Sequence, residues 1–137
     1  MATASIIWLV VLAFFLTHQL EEVVYSIGAW GADHLRPSWR RWTTYLSRSP
    51  MASPLLWVRL RTVAGQMLGL IVLGAAVNAS LLATQVAATV VTAVMMLAFG
   101  MHITVSVLTR SSMPGLATSI LPGLPGAVLV LTYMWTR

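Results

Sequence analysis

IIWLVVLAFFLTHQLEEVVYSIGAW, from Ile6 to Trp30, is the stretch that decides the fold class. At ~1.5 Å per residue it is long enough to cross the ~30 Å hydrocarbon core of a bilayer as one helix. Only the polar island Thr17-His18-Gln19-Leu20-Glu21-Glu22 interrupts it. An acid at membrane depth costs about 2.5–3.5 kcal/mol on insertion scales, so such residues face a protein interior, a partner or an ion. On a helix His18, Glu21, Glu22 and Tyr25 fall at i, i+3, i+4 and i+7, which places them along one face. That face reads as half of a site.

The remaining composition agrees. Of 137 residues, 58% are hydrophobic, and the mean hydropathy is +0.86. These values exclude a soluble domain and indicate an all-α integral membrane protein, a single transmembrane domain over residues 1–137, multi-pass in the cell membrane. Eight arginines, no lysine and three acids give a formal net charge of +5. Because the arginines flank apolar spans, that excess is a topology signal and no nucleic-acid partner is expected. The absence of cysteine excludes disulfides, thiolate metal sites and cysteine nucleophiles, so any metal would be held by histidine and carboxylate. A basic segment ahead of the first span is lacking, and acids stand where a signal peptide keeps an unbroken apolar core, so the span is read as retained.

Beyond Trp30, residues 31–61 carry six arginines together with Pro37, Pro50 and Pro54. The arginine bias assigns this loop to the cytoplasm, and Trp30, Trp39, Trp42, Tyr45 and Trp57 suit the headgroup level. A short amphipathic helix lying on the membrane is expected between Pro37 and Ser47. Further spans are expected at about 62–82, 85–108 and 116–135, with the first at about 6–30. Gly65-x-x-x-Gly69 in the second span is read as a packing pattern, and Asn78 and Ser80 as the turn at the far interface. In the third, the one ionisable residue is His102, and Arg110 closes the span. Ser111-Ser112-Met113-Pro114-Gly115 leads into a fourth, where Pro122-Gly123 and Pro125-Gly126 predict a helix broken around Pro122–Gly126 that forms a pocket wall. The expected architecture is a four-helix bundle with an interfacial segment between helices 1 and 2. Both termini lie outside, and Trp8, Tyr133 and Trp135 form an outer aromatic belt.

Counting from the cytoplasmic ends puts Glu22 and His102 each ~12 Å deep and Pro122 ~10 Å deep. A carboxylate, an imidazole and a helix break thus meet at one level. His18 and Glu22, at i and i+4, can bind one ion from a single helix, and His102 completes a set of two histidines and one carboxylate. That set suits zinc or non-heme iron with open coordination positions. Glu21 then serves as the base that takes a proton from water or substrate, or as an outer partner of the ligands, and the two glutamates can exchange roles. The plainer alternative is a hydrogen-bonded polar cluster with one or both acids protonated.

At these residues the chain resembles the HXXEE membrane-protein family, small and mostly bacterial proteins named for the motif seen here as His18-Gln19-Leu20-Glu21-Glu22. The likeness continues through His102, Arg110, Pro114-Gly115, Thr118 and Pro122. It supports the site and names no reaction.

The function these features favour is a membrane-embedded metal-dependent enzyme, a hydrolase or an oxidoreductase, using one divalent zinc or iron ion on a lipophilic or small amphiphilic substrate. A metal-free acid–base enzyme of isomerase or cyclase type is the first alternative. A proton- or ion-coupled carrier with titrating buried carboxylates is the second. Expected partners are membrane lipid and the substrate, with homo-oligomerisation left open.

Overall fold

Runs of Leu, Val, Ala, Ile and Met in apolar surroundings can satisfy their backbone groups only internally, and helices do so within one segment. The computed structural model, which describes residues 2–39 and 48–136, follows this rule. Its helices are α1 (Ala2–Val24), α2 (Ile27–His34), α3 (Leu56–Val77), α4 (Leu81–Thr109), the single turn α5 (Leu116–Thr118) and α6 (Leu124–Trp135). No strand occurs among the described residues. Four helical stretches are long and apolar enough to cross a membrane: Ala4–Val24, Leu56–Val77, Leu81–Thr109 and Leu116–Trp135. The chain is an all-α, multi-pass membrane-type bundle.

Several boundaries differ from the sequence expectation. The first helix ends at Val24 because Ser26 leaves helical geometry (φ −56°, ψ 114°) and its hydroxyl accepts from the Ala29 N–H, starting α2 as an N-cap. The second span begins at Leu56, not near Thr62, and takes Arg59 and Arg61 into the helix. Both arginines are accommodated locally. Arg59 Nη1 donates to the Ser53 carbonyl at 2.7 Å, and the Arg61 guanidinium lies 5.1 Å from the Trp57 ring centre. Of the α2–α3 connection, the turns Pro37–Trp39 and Pro50–Ala52 are described. The amphipathic helix expected between Pro37 and Ser47, with Trp42 and Tyr45, falls largely on residues 40–47, outside the described residues.

α1 packs against α3, α4 and the fourth stretch, so it is the hub of the bundle. Two apolar clusters form around it. One gathers Val23, Ile27, Trp30, Met51, Val63, Val105 and Met113, and the other Ile7, Trp8, Val11, Ala88 and Met134. Between them lies a layer of buried polar side chains that includes His18, Glu22, His102 and Ser119.

Trp8, expected in an outer belt, is instead buried in the second cluster. Its indole occupies the space left by Gly74, which a Cβ would fill, and Nε1 donates to the Leu70 carbonyl at 2.9 Å. Gly65 and Gly69, read as packing residues, are exposed, and nothing lies within 4 Å of a Cβ built on either. The close helix approach uses Gly74 in their place.

The fourth stretch is broken, at Leu121, one residue ahead of the expected Pro122–Gly126 range. Leu121 has extended geometry (φ −143°, ψ 119°) within Ser119–Gly123, and the Leu121–Pro122 bond is cis. Pro122 has no amide hydrogen to continue the ladder. The second pair, Pro125-Gly126, does not break the chain, because Pro125 sits in the first turn of α6, where no intrahelical donor is required.

Candidate metal centre

One turn of α1 separates His18 from Glu22, and the i, i+4 spacing projects both toward α4. There His102 meets them. Relative exposure is 4% for His18, 8% for Glu22 and 1% for His102. Glu22 Oε1 lies 3.0 Å from His102 Nε2 and 3.6 Å from His18 Nε2. The two imidazole centres are 4.9 Å apart and nearly perpendicular. One ligand atom from each residue lies within 4.8 Å of the others.

These separations can be set against an ion. Bonds of ~2.0–2.1 Å place adjacent ligand atoms about 3.3 Å apart around a tetrahedral ion and about 2.9 Å apart at right angles. The two carboxylate–imidazole edges, 3.0 and 3.6 Å, each lie within about 0.3 Å of the tetrahedral spacing, so the three residues could hold one metal ion with modest side-chain rotation. Two nitrogens sharing an ion can be no more than about 4.2 Å apart, against a bound of 4.8 Å on the present ligand-atom separations.

Glu21 points elsewhere. Its carboxylate accepts from the Ala117 N–H at 3.3 Å, the Thr118 N–H at 2.8 Å and the Thr118 hydroxyl at 2.6 Å. It therefore ties α1 to α5. Thr118 Oγ1 also lies 3.0 Å from His18 Nδ1. With its proton given to Glu21, the Thr118 oxygen accepts from His18 Nδ1–H, which leaves the Nε2 lone pair of a neutral His18 facing Glu22 and His102. Such outer hydrogen bonds orient metal-ligating histidines.

Gly115 closes the site from the turn. Its φ is +89°, and a Cβ built there would stand 2.7 Å from His102 Cε1, 2.8 Å from His18 Cε1 and 2.9 Å from His102 Nδ1. The backbone covers both imidazoles at a distance that only glycine allows. His102 Nδ1 is buried and has no hydrogen-bond partner among the described residues. Phe99 and His18 pack in a T-shaped pair, with ring centres 4.8 Å apart.

A family model described as "Protein of unknown function with HXXEE motif" matches residues 8–130. The chain belongs to the HXXEE family. No curated protein and no solved structure matches it.

In this HXXEE protein the first and last residues of the motif, His18 and Glu22, reach the cluster, while the penultimate Glu21 reaches α5. Tyr25, placed on the same face by spacing, lies beyond the end of α1 and is 63% exposed. Pro122 does not line the pocket beside Glu21; Leu116, Ala117 and Ile120 supply the wall from the fourth stretch. The hydrogen bonding of Thr118 and the covering role of Gly115 escaped the reading of the residues alone. Pro114-Gly115 and Thr118 both stand among the residues that carry the family likeness, yet neither the cover over the imidazoles nor the hydrogen bonds of Thr118 follow from their positions in the sequence.

Proposed function

We propose that this protein is a multi-pass cell-membrane enzyme in which His18, Glu22 and His102 bind one divalent ion, zinc or iron, and act on a lipophilic or small amphiphilic substrate. The observation that carries this reading is the convergence of three ligand atoms within 4.8 Å inside an otherwise apolar bundle. Two imidazoles and one carboxylate form a donor set used by catalytic zinc and by non-heme iron, with coordination positions left open. Bound there, the ion would supply Lewis-acid polarisation of a substrate oxygen. In this scheme Thr118 orients His18, Gly115 excludes bulk from the imidazoles, and Glu21, already accepting three hydrogen bonds, anchors α5.

Elemental analysis of detergent-purified protein tests the reading. One ion per chain is expected, falling to background in His102→Ala and in Glu22→Gln. Ligation requires neutral imidazoles and an ionised carboxylate, so occupancy should fall on acidification as protons compete for the ligands. Equal metal content in wild type and His102→Ala would overturn the assignment.

A metal-free acid–base enzyme is the second reading, and the 3.0 Å contact between His102 Nε2 and Glu22 Oε1 favours it. That contact is a good hydrogen bond without an ion. Turnover undiminished by chelation would select this reading.

A further inference from the structure

A pocket of about 650 Å³ opens beside the buried cluster, lined by Glu21, Tyr25, Trp30, Met113, Ala117 and Ile120 among others. We propose that it binds a single-chain amphiphile whose head is a hydrogen-bond donor, an amine or a hydroxyl. The site goes beyond the metal-enzyme reading and stands without it, because the ligand residues themselves do not line the pocket.

Position is the first ground. The pocket lies where α1 ends at Val24 and where the turn before α5 returns to the bundle, so its walls join a spanning helix to a connecting segment. An amphiphile has the matching polarity, with a body that fits apolar walls and a head that stops at the junction. The volume falls within the ~300–1,000 Å³ of small-molecule sites.

Charge is the second. Among the described residues Glu21 is the one ionisable side chain other than Tyr25 in the lining, and no Arg or His belongs to it. A carboxylate offers about four acceptor positions. Three donors from Ala117 and Thr118 occupy the Glu21 oxygens, and the contact to Oε1 is the longest at 3.3 Å. The Gly115 N–H faces the same carboxylate more weakly, and the half-buried carboxylate lines an otherwise apolar pocket, where a stronger donor can join it. An O–H or N–H head supplies that donor, whereas a carboxylate head would set like charges together in a poorly hydrated place.

The test uses the full chain in phosphatidylcholine nanodiscs with diazirine-bearing dodecylamine, dodecanol and dodecanoate, and labelled residues mapped by mass spectrometry. Amine and alcohol should label the segment around Leu116–Ile120 about tenfold more than the acid, a difference of ~1.4 kcal/mol. Ala117→Trp fills the pocket yet keeps the backbone N–H on Glu21. It should lose that labelling while retaining the wild-type metal content. Glu21→Gln should erase the preference among heads. His102→Ala should label as wild type, so failure of the metal reading leaves this one standing. Equal labelling by all three heads, or labelling unchanged in Ala117→Trp, would show a groove filled by any acyl chain and overturn the proposal.

Discussion

Replacing Gly115 with alanine puts one methyl group where the structure has least room for it. At φ +89° and ψ −7° an L-residue is disfavoured by roughly 1–2 kcal/mol, offset by about 0.4–1 kcal/mol from reduced freedom of the unfolded chain. The steric part is larger. With a Cβ 2.7–2.9 Å from atoms of both imidazoles, the rings must retreat by roughly 0.5–0.7 Å to regain ordinary contact, and such overpacking costs about 1–3 kcal/mol. The expected total is about 2–4 kcal/mol of stability. For the site the consequence is sharper, since ligand distances hold within about ±0.2 Å in a working metal centre. Metal affinity should fall at least ~100-fold, judged by elemental analysis and by titration of the metal-stripped protein. Gly74→Ala is the control, because its methyl collides with Trp8 in the apolar cluster away from the ligands. It should destabilise the fold while leaving the ion in place. Wild-type metal affinity in Gly115→Ala, or equal metal loss in Gly74→Ala, would refute the reasoning.

Thr118→Val removes the hydroxyl between Glu21 and His18, and metal affinity should drop about 10–100-fold, with Thr118→Ser restoring it because the oxygen returns. Loss in both variants would mean that shape, not the hydrogen bond, matters at this position. For topology, the six arginines of residues 31–61 predict a cytoplasmic loop. The chain has no native cysteine, so a single cysteine at Arg48 should react only after the membrane is opened to the reagent from the inner side. Modification from outside alone would invert the orientation.

Much of this molecule could be read from its residues, and the parts that could not share a physical cause. Length and apolarity reveal the four spanning stretches, because lipid solvation leaves few other backbone arrangements. Depth counting matched His102 to Glu22 for the same reason: a helix has a fixed rise. Rotation was harder. Glu21 and Glu22 are adjacent, and neighbours on a helix point about 100° apart, so both could not meet the imidazoles; which one does depends on where α4 and α5 pack. The end of α1 was hidden because Val23 to Trp30 stays apolar across the break, and a lone Ser26 cap carries little weight against that run. Trp8 illustrates the converse, a residue typical of interfaces drawn inward by a glycine on a neighbouring helix.

The bond from Thr118 to Glu21 spans 97 positions in the chain, and the order of synthesis gives that number a meaning. The donors to Glu21 and the closer imidazole partner of Glu22 emerge only with α4 and the turn after it. Until then Glu21 enters the bilayer with none of those donors and Glu22 with only His18 of its own helix beside it, at up to about 2.5–3.5 kcal/mol apiece. Arrival of His102 and then of the Gly115–Thr118 segment relieves both. A ribosome halted before residue 115 should therefore leave a first helix that slips readily out of the membrane, and one halted after the fourth stretch a helix that stays.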